Sequence, residues 1–412
     1  MSDLSLSQKR VLVAGAGVSG IASARFCLGA GSFVVLADDR ERDSLSQPAQ
    51  NLEKEGVTLV CGGIAKAVTG FDLCVLSPGI SIFDPRIKAL SEAGAEVISE
   101  IELAARFLKA PILAITGTNG KTTATELTGK ILKDAGKRVF VGGNVGTPLI
   151  EAVGGDYEIV VAEISSFQLE GCSTFRPKVS VWLNLTGDHL ERHADMEEYG
   201  GAKARIFKNQ DSSDAAVVNR DDPLVWAYAQ KCGATLLPYT TKGPLGVGAW
   251  KEGEELVVLM PGRDGARLPL GGLKLKGLHN IENVLACLLA TAVFGVPLQN
   301  AWESACQFKG LPHRVEEFLV WRGITFIDDS KATNVDAVMR AVQMGDSPLI
   351  LLMGGVEKNS DYSPIRAGLE KRCKMLILVG PNVGRMESEL RGSAPIRLAA
   401  NWAEGGKIAL GE

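Results

Sequence analysis

The segment Ile112-Leu-Ala-Ile-Thr-Gly-Thr-Asn-Gly-Lys-Thr-Thr123 decides the fold, because a short apolar strand runs directly into a glycine-rich turn and a helix. The turn departs from the standard G-x-x-x-x-G-K-S/T spacing, since Ile115 stands where the first glycine belongs. Its backbone N–H groups can still hold phosphates, Lys121 can neutralise the terminal ones, and the Thr122 hydroxyl can reach Mg²⁺. The segment therefore predicts an ATP-binding loop, with an ordinary polar turn as the alternative.

A second glycine-rich turn, Gly15-Ala-Gly-Val-Ser-Gly20, lies between the strand Val11–Ala14 and a helix. Asp38 ends the following strand, as in dinucleotide-binding folds. Glycines let a diphosphate approach the backbone, and the N-terminus of a helix favours an anion. The turn predicts a site for a nucleoside diphosphate of any kind, and the alternative is a tight turn without a ligand.

Short runs of Val, Ile, Leu and Ala alternate with amphipathic stretches along the whole chain, which predicts an α/β fold in three domains. Residues 1–99 form a Rossmann-like domain for the substrate. Residues 100–309 form a P-loop ATPase-like domain, with a small antiparallel addition at Gly246–Gly277. Residues 310–412 form a Rossmann-like C-terminal domain for nucleotide and amino acid.

Composition excludes several classes of protein. The 412 residues carry 44 Lys and Arg against 48 Asp and Glu, so there is no basic excess that would favour a nucleic-acid partner. No apolar stretch is long enough for membrane insertion, and the N-terminus lacks a signal-peptide pattern. The eight cysteines form no C-x-x-C pair, which favours reduced thiols in a cytoplasmic protein.

Two phosphate loops in one chain narrow the possible functions. A dehydrogenase needs only the first loop, and although Tyr199-Gly-Gly-Ala-Lys203 resembles the Y-x-x-x-K pair of short-chain dehydrogenases, that interpretation leaves the ATP loop unused. ATP on one loop and a diphosphate substrate on the other favour ATP-driven synthesis.

Glu163 and His189 each follow a predicted strand, at the sheet edge where ligands bind. A metal role for them is a hypothesis. Alternatively, His189 orients substrate or water, or is an ordinary surface or core histidine without a functional role.

Seven motifs, in order and spacing, resemble those of the Mur ligases of peptidoglycan synthesis. They are Gly117–Thr122, Gly143-Asn-Val-Gly146, Glu163–Glu170, Gly187-Asp-His189, Gly277-Leu-His-Asn280 with Asn283, Leu311-Pro-His-Arg314, and Asp329–Asn334. Within the family, Ser-Ser-Phe-Gln-Leu is typical of members that add D-glutamate. The resemblance implies a monomeric, ATP-dependent ligase that joins D-glutamate to UDP-N-acetylmuramoyl-L-alanine through an acyl phosphate. Its cofactors are ATP and two Mg²⁺ ions.

The resemblance also assigns residues. Substrate contacts fall on Ser19, Asp38, Arg40, Gly79, Asn144, Ser165, Gln168, Thr333 and Lys358. ATP contacts fall on Gly117, Thr118, Asn119, Gly120, Lys121, Thr122, Thr123, Asn280, Asn283, Arg314 and Asp329. Metal ligands fall on Thr122, Glu163, His189 and Lys203, and catalytic roles on Lys121, Glu163, His189, Lys203 and Lys331. Lys203 matches a lysine that is carbamylated in the family; the alternative is a solvated helix lysine.

The sequence departs from the family pattern after Asn401–Leu410. The family continues there with another strand and a Ser-Pro-Ala loop ending in Phe, which holds D-glutamate. We therefore expect an incomplete C-terminal domain that is less stable and exposes a sheet edge and apolar surface. Two alternatives stay open: a nucleotide-binding protein with impaired ligation, and a Mur-type ligase for another amino acid.

Overall fold

The computed structural model describes residues 5–67, 70–188, 192–345, 347–355, 361–381 and 383–411. The chain falls into two compact units. The first comprises Met1–Leu185, Asp195–Gly272 and Glu282–Ala305, and the second comprises Thr186–Ala194, Leu273–Ile281 and Cys306–Glu412. The mixed α/β class is confirmed, whereas the boundaries of three domains stay a prediction.

The first unit begins with a parallel five-stranded sheet of order β3-β2-β1-β4-β5. Its strands are β1 (Arg10–Ala14), β2 (Phe33–Ala37), β3 (Thr58–Val60), β4 (Leu73–Leu76) and β5 (Glu96–Ser99). Its helices are α1 (Val18–Gly29), α2 (Gln47–Glu55), α3 (Pro85–Glu92) and α4 (Glu100–Phe107). The central strand β1 is apolar and buried from Val11 to Ala14, as expected for a parallel strand covered on both faces.

A nine-stranded sheet of order β14-β13-β12-β11-β10-β9-β6-β8-β7 completes the first unit. Its strands are β6 (Ile112–Thr116), β7 (Val139–Gly143), β8 (Ile159–Glu163), β9 (Val179–Trp182), β10 (Ala215–Asn219), β11 (Thr235–Thr240), β12 (Gly248–Glu252), β13 (Glu255–Leu259) and β14 (Ala266–Pro269). Strands β6 to β12 pair in parallel, whereas β12, β13 and β14 form an antiparallel meander. This meander is the antiparallel addition that the sequence predicts.

The helices of this stretch begin with α5, which follows the predicted ATP loop directly. They are α5 (Lys121–Asp134), α6 (Ser166–Glu170), α7 (Met196–Ala204), α8 (Pro223–Ala229), α9 (Leu278–Val293) and α10 (Leu298–Gln307). In the core of the first unit, Trp182 stacks on Tyr228 with ring centroids 5.5 Å apart. The loops at the carboxyl ends of the strands are thus carried on a rigid, buried sheet.

The second unit contains two sheets. The strands β15 (Glu316–Trp321) and β16 (Ile324–Asp328) form an antiparallel pair, and β17 (Leu349–Gly354), β18 (Cys373–Val379) and β19 (Ile396–Ala399) form a parallel sheet. The helices are α11 (Val335–Val342), α12 (Arg366–Arg372), α13 (Gly384–Leu390) and α14 (Trp402–Gly411). The third β-α series of the sequence is therefore divided over two sheets. Large apolar side chains of the strand pair are exposed, among them Phe318, Val320, Ile324 and Ile327.

Among the described residues, no helix combines the length and apolar character needed to cross a bilayer. All eight cysteines are free thiols, and burial raises the pKa of Cys27, Cys74, Cys172 and Cys287 to about 12. These buried thiols are protonated at neutral pH and have little nucleophilic character.

Candidate active site

The predicted ATP loop lies at the carboxyl end of β6, where the chain turns into α5. Gly117 and Gly120 have positive φ values of 155° and 84°, which favour glycine. A Cβ on Gly120 would lie 2.6 Å from the Asn283 Oδ1 atom, so this glycine also permits close packing. The Lys121 Nζ donates to the carbonyl oxygens of Gly117 at 2.9 Å and Thr118 at 2.8 Å. The Lys121 side chain therefore folds back onto the loop that precedes it.

Lys203 reaches the same loop from helix α7. Its side chain is 1% exposed, and its Nζ donates to the Gly117 carbonyl oxygen at 2.9 Å. The ammonium also lies 4.7 Å from the centroid of the Tyr199 ring, whose hydroxyl is 3.4 Å from the Thr118 Oγ1. The Tyr-x-x-x-Lys pair therefore packs beneath the ATP loop. The solvated-lysine alternative for Lys203 is wrong, because the side chain is buried.

Glu163 ends strand β8, beside β6, and is 2% exposed. One carboxylate oxygen, Oε1, accepts a hydrogen bond from the Asn144 Nδ2 at 2.9 Å, and the Glu163 carbonyl accepts from the Asn144 backbone N–H at 2.8 Å. The other oxygen, Oε2, is buried and has no hydrogen-bond partner within the described residues. A buried, unsatisfied carboxylate oxygen fits a hard cation such as Mg²⁺.

Ser165 and Gln168 form a capping box at the start of α6. The Gln168 Oε1 accepts from the Ser165 backbone N–H and hydroxyl, both at 3.0 Å. The Gln168 Nε2 is buried and has no hydrogen-bond partner among the described residues, which leaves an amide donor available. The spacing Ser-x-x-Gln signals the cap, whereas the unsatisfied amide appears only in the structure.

The Asn144 loop is held at its far end by Glu100, the first residue of α4. The Glu100 Oε1 accepts from the Ile150 backbone N–H at 2.7 Å, in the 3-10 helix Leu149–Ala152 that follows the loop. Burial raises the pKa of Glu100 to about 7. The sequence analysis missed Glu100, because no motif near it indicates that its carboxylate accepts a hydrogen bond from a 3-10 helix 50 residues further along the chain.

The second glycine loop, Gly15–Gly20, is anchored by Asp38. The Asp38 Oδ2 accepts from the Ala16 backbone N–H at 2.7 Å, and both carboxylate oxygens accept from the Arg40 guanidinium at 2.8 and 2.9 Å. Hydrogen bonding to Arg40 lowers the pKa of Asp38 to about 2. A Cβ on Gly20 would lie 1.8 Å from the Gly15 carbonyl oxygen, so only glycine fits there.

The remaining predicted contacts of this loop follow neighbouring strand ends. Ser19 is half-buried in the first turn of α1, and Gly79 is exposed in the turn after β4, next to β1 in the sheet. The Ser77 hydroxyl ties the two turns together by donating to the Gly15 carbonyl at 2.8 Å. Arg40 is half exposed, so its guanidinium faces solvent as well as Asp38.

In the second unit, hydrogen bonds join the segment that contains Arg314 to the segment that contains Asp329. The Val315 backbone N–H donates to the Asp329 Oδ1 at 3.1 Å, and the Lys331 backbone N–H donates to the His313 carbonyl at 3.2 Å. The His313 Nδ1 lies 2.7 Å from the Asp328 Oδ2. Burial raises the pKa of Asp329.

The structure also places three further predicted residues of this unit. Lys331 and Thr333 are exposed, and the Asn280 Nδ2 donates to the Lys276 carbonyl at 2.8 Å. His189 and Lys358 lie outside the described residues, so their predicted roles stay predictions.

Two family models match this chain. Residues 9–99 match the MurD-like N-terminal domain of Mur ligases, and residues 115–291 match the Mur ligase middle domain. A UDP-N-acetylmuramoylalanine–D-glutamate ligase from Syntrophotalea carbinolica is 43% identical, over 95% of this chain and 87% of the relative. The ligase of the same name from Geobacter metallireducens is 41% identical, over 98% of this chain and 90% of the relative.

Solved structures of lower identity share the fold. A pseudomurein peptide ligase type C from Methanothermus fervidus is 19% identical with a TM-score of 0.60, and covers 95% of this chain and 88% of its own. The MurC UDP-N-acetylmuramate-alanine ligase from Thermotoga maritima is 21% identical with a TM-score of 0.57, over 95% and 90% of the two chains. With relatives above 40% identity along almost its entire length, this chain belongs to the MurD branch of the Mur ligase family.

Proposed function

We propose that this protein forms an amide bond between UDP-N-acetylmuramoyl-L-alanine and D-glutamate, with cleavage of ATP to ADP and phosphate. The observation that carries the proposal is the pair of glycine loops in one compact unit. One loop lies beside Lys121 and Lys203, as a triphosphate requires, and the other is anchored by an acid from the next strand, as in nucleoside-binding folds. The D-glutamate ligases named above supply the substrate identities.

The chemistry follows from the poor reactivity of a carboxylate. Its oxygen is a bad leaving group, so the alanyl carboxylate first attacks the γ-phosphorus of ATP, which releases ADP and converts the carboxylate into an acyl phosphate. The amine of D-glutamate then attacks the acyl carbon, and phosphate leaves with the oxygen that the carboxylate supplied. Lys121 offsets the charge on the transferring phosphoryl group, and Lys331 is proposed to do the same.

Different residues of the chain bind ATP, the UDP group, the muramoyl-alanyl part and D-glutamate. The backbone N–H groups of Gly117–Thr123 that are not bound to Asn184 hold the β- and γ-phosphates, with Thr118 and Asn119 shaping the loop. Asn280, Asn283, Arg314 and Asp329 contact the rest of the nucleotide. Ser19, Asp38, Arg40 and Gly79 hold the UDP group. Asn144, Ser165 and Gln168 face the muramoyl-alanyl part, where the buried Gln168 Nε2 donor favours a carbonyl or carboxylate oxygen. His189 is assigned to substrate and metal, and Thr333 and Lys358 to D-glutamate.

Mg²⁺ is proposed to bind at Glu163 and Thr122, with His189 and a carbamate on Lys203 completing the ligands of two ions. The ions supply charge neutralisation for the phosphoryl group. The unpartnered Glu163 Oε2 supports this assignment. For carbamylation, the Lys203 ammonium first loses a proton, and the neutral amine then adds CO₂ with loss of a second proton. A costly buried cation is thereby replaced by an anion that a metal can pair.

The proposal also covers the roles of the domains, the oligomeric state and the cellular location. The chain uses residues 1–99 for UDP, 100–309 for ATP and 310–412 for nucleotide and amino acid. It acts as a monomer, since all proposed contacts come from one chain. It works in the cytoplasm, which its eight free thiols favour.

The test is product formation by the purified 412-residue chain. Phosphate release from ATP and a product heavier by one glutamyl residue are expected only when both UDP-N-acetylmuramoyl-L-alanine and D-glutamate are present. Hydroxamate formation with hydroxylamine, but no amide with D-glutamate, would indicate that only the amino-acid site is impaired. Turnover with another amino acid, or binding of both nucleotides without phosphate release, would overturn the proposal.

A further inference from the structure

Asn184, which follows strand β9, makes a two-point contact with the ATP loop. Its Oδ1 accepts from the Asn119 backbone N–H at 2.8 Å, and its Nδ2 donates to the Asn119 carbonyl at 3.0 Å. One side-chain amide thus pairs with both backbone polar groups of a single loop residue. Asn184 is 5% exposed, so water does not compete freely for these bonds.

The backbone of Asn184 adds to the same contact. Its carbonyl accepts from the Thr118 backbone N–H at 3.0 Å and from the Trp182 Nε1 at 3.2 Å. Residues 118 and 119 are therefore both bound to the end of β9, which pairs in parallel with β6.

Such a contact matters because the loop is rich in glycine. Gly117 and Gly120 flank the held residues and have wide backbone freedom, so an unanchored loop would sample many conformations. Fixing Asn119 at both its N–H and its carbonyl selects one of them before any nucleotide arrives. A preorganised loop loses less entropy on binding phosphates.

We propose that Asn184 is a positioning residue that holds the 117–120 loop in its nucleotide-binding conformation. The nucleotide in question is ATP, and to that extent the inference rests on the proposed function. Asn184 touches neither phosphate nor metal in this scheme; it acts through the backbone of Asn119. Its loss is therefore felt in ATP affinity rather than in affinity for the UDP substrate.

The test compares Asn184→Ala with a matched control, Gln210→Ala. Gln210 is also a buried amide, with hydrogen bonds to β9 and β10. Its Oε1 accepts from the Ser180 hydroxyl at 2.7 Å, and its Nε2 donates to the carbonyls of Pro177 at 3.0 Å and Ala215 at 3.2 Å. These contacts lie towards the amino ends of the strands, whereas Asn184 and the ATP loop follow the carboxyl ends of β9 and β6. Both variants lose similar bonds, but only one of them loses the loop anchor.

Two readouts on the full chain separate positioning from stability. Calorimetric titration with a non-hydrolysable ATP analogue and Mg²⁺ is expected to show affinity about tenfold or more weaker for Asn184→Ala and within about twofold of wild type for Gln210→Ala. Hydrogen exchange in the peptide covering residues 116–122 is expected to accelerate only in Asn184→Ala. Equal effects of the two variants on ATP affinity, or unchanged loop exchange in Asn184→Ala, would overturn the inference.

A second variant covers the case in which Asn184→Ala does not fold. Asn184→Asp has the same shape and keeps the acceptor for the Asn119 N–H, but it replaces the donor with an oxygen that faces the Asn119 carbonyl. Its ATP affinity is expected to fall as well, and wild-type affinity would contradict the proposal. If the wild-type chain binds no ATP analogue, the proposed function fails, whereas loop exchange still reports on the anchor.

Discussion

The two glycine loops share a strand-turn-helix geometry but differ in what surrounds them. In the Gly15–Gly20 loop, the Ala16 N–H is bound by the Asp38 carboxylate, which pairs with Arg40. In the Gly117–Gly120 loop, the Asn119 N–H is bound by the neutral Asn184 amide, and two ammonium groups donate to the Gly117 carbonyl. Both loops end a buried parallel strand, so the difference lies in the neighbouring side chains.

This difference teaches what each loop can hold. Lysines concentrated at one loop offset the charge of a triphosphate and of a phosphoryl group in transfer. A carboxylate beside the other loop repels terminal phosphates but accepts hydrogen bonds from a nucleoside, while the exposed Arg40 is available to a polar group. We therefore propose that the same backbone geometry serves as a reaction site in one sheet and as an anchoring site in the other.

The largest expected effect comes from Lys121→Ala. Removal of the loop cation should lower kcat about a thousandfold or more, because it faces charge that grows in the transition state. Affinity for UDP-N-acetylmuramoyl-L-alanine should not change. Steady-state kinetics and calorimetry would measure both, with Lys133→Ala on the exposed face of the same helix as control. A matching loss of UDP-substrate affinity would break the distinction between the loops.

Lys203→Ala should follow, with activity about a hundredfold lower. If the working form is a carbamate, short carboxylic acids such as formate or acetate should enter the space and restore part of the activity at millimolar concentration. The measurement is initial rate against added acid, for the variant and for wild type. Loss without rescue would argue against carbamylation and leave the buried ammonium as the acting group.

Arg40→Ala should act on the other loop. The KM for the UDP substrate is expected to rise about tenfold, with the KM for ATP unchanged, since a charged hydrogen-bonding partner is lost at one site only. Arg42→Ala is the matched control, because Arg42 is two residues away and pairs with Glu53 rather than Asp38. Parallel changes in both KM values would contradict the assignment.

The smallest expected effect is a change in the free energy of unfolding, which should depend on pH for a variant of Asp38 but not for a variant of Asn184. The pKa of Asp38, lowered from 3.8 to about 2 chiefly by Arg40, means that this carboxylate stabilises the fold fully above pH 4 and loses that contribution as pH falls towards 2. Asp38→Asn should therefore cost about 1 kcal/mol at pH 7, after allowance for the exposed Arg40, and progressively less as the pH falls through 2.

The matching variant on the other loop is Asn184→Ala, which removes an amide that does not titrate. Its cost in unfolding free energy should be the same across this pH range. Denaturant titrations at several pH values would check both variants. A cost of Asp38→Asn that stayed constant with pH would show that the Asp38 charge does not anchor its loop.

Local signals predicted much of the fold. The strands before both loops and the antiparallel meander were predictable, because apolar runs and glycine turns are determined within a few residues. The division of the third β-α series was not, because nothing local indicates that β16 pairs with β15 and not with β17. Strand pairing of that kind depends on contacts outside the segment.

The candidate site shows the same limit. The positions of Lys121 in one loop and of Asp38 beside the other were predictable from motifs. The Asn184 anchor joins residues 65 apart, and the Lys203 contact joins residues 86 apart, so neither follows from spacing alone. They become visible once the pairing of β6 with β9 brings the two chain segments together.

The most direct test of the proposed reaction follows one oxygen atom from the alanyl carboxylate of the UDP substrate to the phosphate released from ATP. UDP-N-acetylmuramoyl-L-alanine labelled with oxygen-18 in its alanyl carboxylate would be converted with ATP and D-glutamate, and the released phosphate analysed by mass spectrometry. We predict one labelled oxygen in each phosphate, because the carboxylate held through one loop attacks the phosphoryl group held by the other. Unlabelled phosphate alongside amide product would contradict the acyl-phosphate route and the division of labour between the loops.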